Sequence, residues 1–216
     1  MAQALLPRYT QAQTISFTDE RIKPRYVEYD SPGGSSGKMR GYLVTPAGKG
    51  PFPAVLVVHE NRGLNPYIED VSRRFAVEGF LSLAPDGLAP IGGYPGNDDD
   101  GKVMQKSLDP DKLFTDMLNS AKFLKNHDGS SGKLGATGFC YGGGVVNKLA
   151  VIMGADLNAG VPFFNLKKLR QAIEDNIPEY EGLLATWKKL LPILRRQRTD
   201  PSYCVIPFLP VNNPAT

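Results

Sequence analysis

This sequence predicts a three-layer α/β domain built on a mostly parallel sheet, and three observations carry that expectation. From about Arg25 to Phe164, short strand-like runs alternate with stretches of helical periodicity. The central runs are apolar throughout, as strands covered on both faces must be. The helical stretches that follow carry start and stop signals. At 216 residues the chain suits one domain with a sizeable core.

The elements follow in order. "RYVEYD" and "GYLVTPA" alternate apolar and polar residues, and the turn-rich "SPGGSSGKMR" separates them. "AVLVVHE", residues 54–60, is a continuous apolar strand. The helix after it has Asn65 as cap, Pro66 at its first position, Glu69 and Asp70 early, Arg73 and Arg74 late, and Gly79 as its stop. "FLSLAPD" is the next strand. The Gly/Pro/Asp-rich "GLAPIGGYPGNDDDGK" is expected to be a solvated loop. Asp109-Pro110 opens a second helix, with Leu113, Phe114, Met117, Leu118, Ala121 and Leu124 on one face. "KLGATGF" is a strand, "GGGVVNKLAVIMG" starts a helix, and "LNAGVPFF" is one more buried strand.

Past Phe164 the strand–helix alternation ends. We therefore expect a core over residues 1–164, a divergent, partly helical tail over residues 165–216, and a sheet incomplete at its C-terminal end. Apolar surface left there would need a cover, for which Leu183, Leu184, Trp187, Leu190, Leu191 and Leu194 are the candidates. A replaced end or a shifted reading frame would account for the change of character.

Composition excludes several classes. Apolar content of 41% and charged content of 22% are those of an ordinary globular protein, and no apolar run is long enough to cross a bilayer. The opening "MAQALLPRYTQAQT" lacks a basic stretch followed by an apolar one, so the cytoplasm is the default compartment. The net charge of +3 lies wholly in the tail: residues 1–164 carry 17 basic and 17 acidic side chains, and residues 165–216 carry 8 and 5. So small an excess reads as a solvated face rather than a nucleic-acid surface. Two histidines and two cysteines make no zinc cluster. "GNDDDGK" matches a phosphate-loop spacing, but Val103 stands where a magnesium-binding hydroxyl is required and three aspartates would repel phosphate.

The chemistry concentrates at Gly138-Phe139-Cys140-Tyr141-Gly142, which fits the spacing glycine, any residue, nucleophile, any residue, glycine. Small residues permit a sharp turn between strand and helix that lifts Cys140 clear of the sheet, and the helix N-terminus behind it attracts a thiolate. The Tyr141 peptide N–H would form half of an oxyanion hole, and the loop after "AVLVVHE" makes Asn61 the other half. The alternative is a buried structural cysteine, a common fate for this residue. Glu60, at the C-terminal edge of a buried strand, is well placed to meet a ligand and to take the thiol proton. Its alternative is an ion pair with Arg62 or another nearby arginine.

"VVHENRGLNPYIEDVSRRFAVEGF", "LAPDG", "GGYPGNDD" and "GFCYGGG" together resemble the dienelactone hydrolase family of α/β hydrolases, over about residues 15–164. The resemblance implies an α/β-hydrolase sheet, hydrolysis of small lactones or esters with no metal or organic cofactor, Cys140 as nucleophile and Glu60 as its activating carboxylate. A carboxylate on the substrate would meet Arg62. The family's aspartate, in an "ELD"-like turn, and its histidine, in an "HGF"-like turn, have no counterpart: the 76 residues after Cys140 contain no histidine. His127 precedes the Cys140 strand and should lie about 20 Å from the sulfur, at about 3.3 Å per strand residue. His59 is turned away from Glu60 by strand alternation. Asp86 suits a backbone-binding role, and Asp175 and Asp200 cannot be placed from the sequence. Three readings follow: an ester hydrolase impaired in its second step, an inert fold or binding module, or an interaction protein acting through its basic tail.

Overall fold

The computed structural model describes residues 13–165 and 203–205. Its strands are β1 (Ile22–Ser31), β2 (Gly37–Pro46), β3 (Phe52–Val58), β4 (Leu81–Pro85), β5 (Ser130–Phe139), β6 (Ala159–Asn165) and β7 (Tyr203–Val205). Its helices are α1 (Pro66–Val77), α2 (Asp98–Lys106), α3 (Pro110–Lys125) and α4 (Tyr141–Met153). The strands form one sheet in the order β1-β2-β4-β3-β5-β6-β7. From β4 through β3 and β5 to β6 the pairing is parallel, while β1, β2 and β7 join antiparallel. This is the three-layer, mostly parallel arrangement the sequence predicts.

Alternation along β3 divides the core. Leu56 and Val58 face Leu113, Met117 and Leu124 of α3 and Val145 and Leu149 of α4. Val55 and Val57 face Ile68 and Val71 of α1 on the other side. Each such side chain removed from water contributes about 1.5–3 kcal/mol before entropy is counted. The helix signals act as expected. The Asn65 side chain accepts the Ile68 N–H at the start of α1, and Asp109 accepts the N–H groups of Asp111 and Lys112 at the start of α3.

Two elements depart from the sequence reading. The second half of the segment expected to be a loop is α2, capped by the Asn97 side chain at the Asp100 N–H. Its buried residues are Gly101 and Gln105, and Val103 is exposed, so it has no apolar stripe for periodicity to find. The second is β7, which pairs with β6 through Asn165 and Tyr203, so part of the stretch expected to be a separate tail joins the same sheet. A three-residue edge strand is defined by its partner, not by its own pattern. The candidate cover residues Leu183 to Leu194, with Asp175 and Asp200, lie outside the described residues. Among those described, no helix is long and apolar enough to cross a membrane.

Candidate active site

Parallel register brings the site together. Val58 of β3 pairs with Gly138 of β5, so Glu60 and Cys140 each stand two residues beyond that pair, at one edge of the sheet. Cys140 has φ 51 and ψ −107, a positive φ that only it among the described non-glycine residues adopts. It is held there by a hydrogen bond from its N–H to the Phe163 carbonyl at 2.8 Å and by its own carbonyl accepting the Gly144 N–H at 3.3 Å. The turn is tight enough to need glycine on both sides. A Cβ on Gly138 would lie 2.3 Å from the Gly142 carbonyl oxygen; one on Gly142 would lie 2.4 Å from that of Val58. The sulfur's residue is exposed and disulfide-free, so the alternative of a buried cysteine does not hold.

Tyr141 opens α4 with a buried hydroxyl, and burial pushes its phenol upward, so the group stays protonated. Among the described residues, neither the Tyr141 nor the Asn61 peptide N–H has an acceptor. Glu60 is partly exposed, and Arg62 lies beside it with Nε 4.0 Å from Oε2. The closer partner of Arg62 is Asp98 on α2, at 2.7 Å from Nη1. The Glu60–Arg62 pair is thus the longer of these two ion pairs. Asp98 and Gln105 were not legible in advance, because their helix was not. The only advance signal was Asn97 followed by three acidic residues, the composition of a helix start.

The histidines are committed elsewhere. His59 is fully buried; its Nε2 accepts the Gly87 N–H at 3.1 Å, which leaves Nδ1–H to donate to the Glu60 carbonyl at 2.5 Å. His59 thus fixes the backbone on which Glu60 sits. His127 lies just before the opposite end of β5, beside Tyr29, Asn119 and Phe123. Asp86 accepts the Leu88 N–H and an Arg40 hydrogen bond, the backbone-directed role the sequence suggested.

Burial holds the His59 imidazole below its ordinary value, with opposition from the Glu60 carbonyl. Below about pH 6.5 the unfolded chain takes up a proton that the native state refuses, so stability falls on acidification, by at most about 1.4 kcal/mol per pH unit for His59. Burial and Arg25 also hold His127 low, which adds a second contribution. Urea midpoints measured from pH 8 to pH 5 should decline, and His59→Gln, less stable at pH 8, should show a flatter profile; an unchanged slope would assign the decline to other groups.

Residues 39–180, well over half of the chain, match the family model for the dienelactone hydrolase family. The chain belongs to that family. A hydrolase fragment of Escherichia coli (strain K12), YghX, is 58% identical over 107 residues, 49% of this chain and 91% of that protein. A protein of Aquifex aeolicus (strain VF5) that carries the name carboxymethylenebutenolidase is 37% identical over 161 residues, 70% of this chain. The match spans 65% of the Aquifex protein, less than two thirds of its length. Among solved structures, one from Klebsiella pneumoniae subsp. pneumoniae MGH 78578, described as a dienelactone hydrolase, superposes with a TM-score of 0.51 at 28% identity, over 64% of this chain and 59% of that one.

Proposed function

We propose that this dienelactone hydrolase family member attacks small lactones or carboxylic esters through Cys140, and that the 216-residue chain completes acylation far faster than deacylation. The observation that carries the reading is an exposed cysteine with a positive φ at a strand-to-helix turn, enclosed by two glycines with no room for a side chain. Glu60, at the same sheet edge, takes the thiol proton as substrate arrives. The sulfur attacks the carbonyl carbon, and the peptide N–H groups of Tyr141 and Asn61 hold the developing oxyanion. Collapse of the tetrahedral intermediate breaks the ester C–O bond and leaves a thioester on Cys140, with the alkoxide protonated from Glu60. Water must then cleave the thioester. A general base adds typically 10²–10⁴ to such a step, and both histidines of this chain are engaged away from the sulfur.

That last observation also favours a second reading, an inert fold kept for binding. Mass spectrometry after mixing with p-nitrophenyl acetate separates the two. An acetyl group mapped to Cys140, and lost in Cys140→Ala, is the expected result; an unmodified Cys140 would leave the inert fold.

A further inference from the structure

The two faces of the sheet are covered unevenly. On one, α3 and α4 lie over β3, β5 and β6; on the other, α1 lies over β2, β4 and β3, and no described helix lies over β5 and β6. Strand alternation marks the gap. Along β6, Gly160 and Pro162, in register with Ala136 and Gly138, are buried, whereas Ala159 is exposed and Val161 and Phe163 are half-buried. Those three residues line an apolar groove of about 480 Å³ together with Val55 of β3, Phe75 of α1 and Phe80 just beyond it. Thr137 brings the one hydroxyl among the lining residues, and it donates to the Val161 carbonyl at 2.9 Å. The groove therefore suits an apolar occupant, as expected of a parallel strand pair that is normally buried on both faces.

The chain itself carries such an occupant. Strand β6 ends at Asn165, and β7 begins at Tyr203, which pairs with Asn165. Residues 166–202 thus leave from and return to one corner of the sheet, beside the groove. Within them Pro178 is a helix-start residue and Pro192 a helix-stop residue. Between the two, Tyr180, Leu183, Leu184, Trp187 and Leu191 recur at helical spacing along one stripe, and Glu181, Lys188 and Lys189 fall on the other side. As a helix, residues 179–191 would measure about 20 Å, enough to span the roughly 13 Å from Ala159 to Phe163 along β6. Tethered at both ends, the segment meets the groove at an effective concentration in the millimolar range, which favours it over a second copy of the chain.

We propose that residues 179–191 dock in this groove as a helix of the same chain, with their apolar stripe against β5 and β6. The proposal is independent of the role of Cys140. Trp187 is the chain's single tryptophan, so its fluorescence reports on the segment directly. In the full chain its emission should be blue-shifted from that of N-acetyltryptophanamide, and acrylamide should quench it several-fold less. Both properties should be unchanged from low to high micromolar protein.

Val161→Glu and Ala159→Glu place a charge in the groove. In protein still folded by circular dichroism, each should red-shift the emission and restore most of the quenching. Val151→Glu, at an exposed position of α4, should change neither. A wild-type Trp187 as open to acrylamide as the free indole overturns the proposal, whether or not any variant folds. So does a shielded Trp187 that ignores Ala159→Glu, a substitution at an exposed position that folding should tolerate even where Val161→Glu is lost. A response to Val151→Glu as large as that of the groove variants overturns it too. Shielding that disappears on dilution would make the occupant a second copy, and overturns docking within one chain.

Discussion

Mixed with p-nitrophenyl acetate, the protein should release close to one equivalent of p-nitrophenol in a fast phase, then continue at a rate about 10²–10⁴ slower. The first phase needs what this site offers: an exposed sulfur on a strained turn, a carboxylate two residues past the paired strand, and two peptide N–H groups without acceptors among the described residues. The second needs a base for water. His59 spends Nε2 on the Gly87 N–H and Nδ1 on the Glu60 carbonyl, and His127 lies by the far end of β5. Imidazole added in solution should therefore raise the slow rate in proportion to its concentration, and hydroxylamine, which needs no base to attack a thioester, should do so more strongly. Cys140→Ala should lose both phases. A slow phase as fast as the first, and indifferent to imidazole, would show that another group of this chain activates water.

Gly142→Ala should cost about 3 kcal/mol, which for a chain of this size lowers Tm by about 10 °C, and should also remove the fast phase. The reason is geometric. The added methyl would sit 2.4 Å from the Val58 carbonyl oxygen and 2.7 Å from that of His59, both backbone atoms where the central strand gives way to the Glu60 loop. They cannot yield without moving that loop, so stability and reactivity should fall together. Gly79→Ala is the control. Gly79, unlike Gly142, has a positive φ, of 88, but a Cβ there would meet nothing within 4 Å, so only the conformational cost of about 1 kcal/mol is expected, with the fast phase kept. A Gly142→Ala protein with wild-type Tm and reactivity would sink the close-packed-turn account.

Much of this was readable in advance because local rules agreed with the tertiary outcome. Asn65-Pro66 announced α1 and Asp109-Pro110 announced α3 through side chains that bond their own helix's N–H groups. The apolar run in β3 announced a strand covered on both faces, and the glycines around Cys140 announced the turn. What failed was local pattern without local cause. Helix α2 buries a glycine and a glutamine, so it was read as loop, and Asp98 was lost with it. The hydrogen bond from Arg62 to that aspartate, 36 residues further along the chain at 2.7 Å, was lost with the helix.

Residue order alone therefore determined the strand–helix alternation, the sharp turn beneath Cys140 and the count of histidines, since each depends on neighbours a few positions away. Only the folded chain decided which charges meet at the mouth of the site, that His59 spends both nitrogens on backbone, and that residues 203–205 close the edge of the sheet. These are contacts between segments far apart in sequence. Their strength depends on burial and on the register of β3 against β5, neither of which any short window of residues contains.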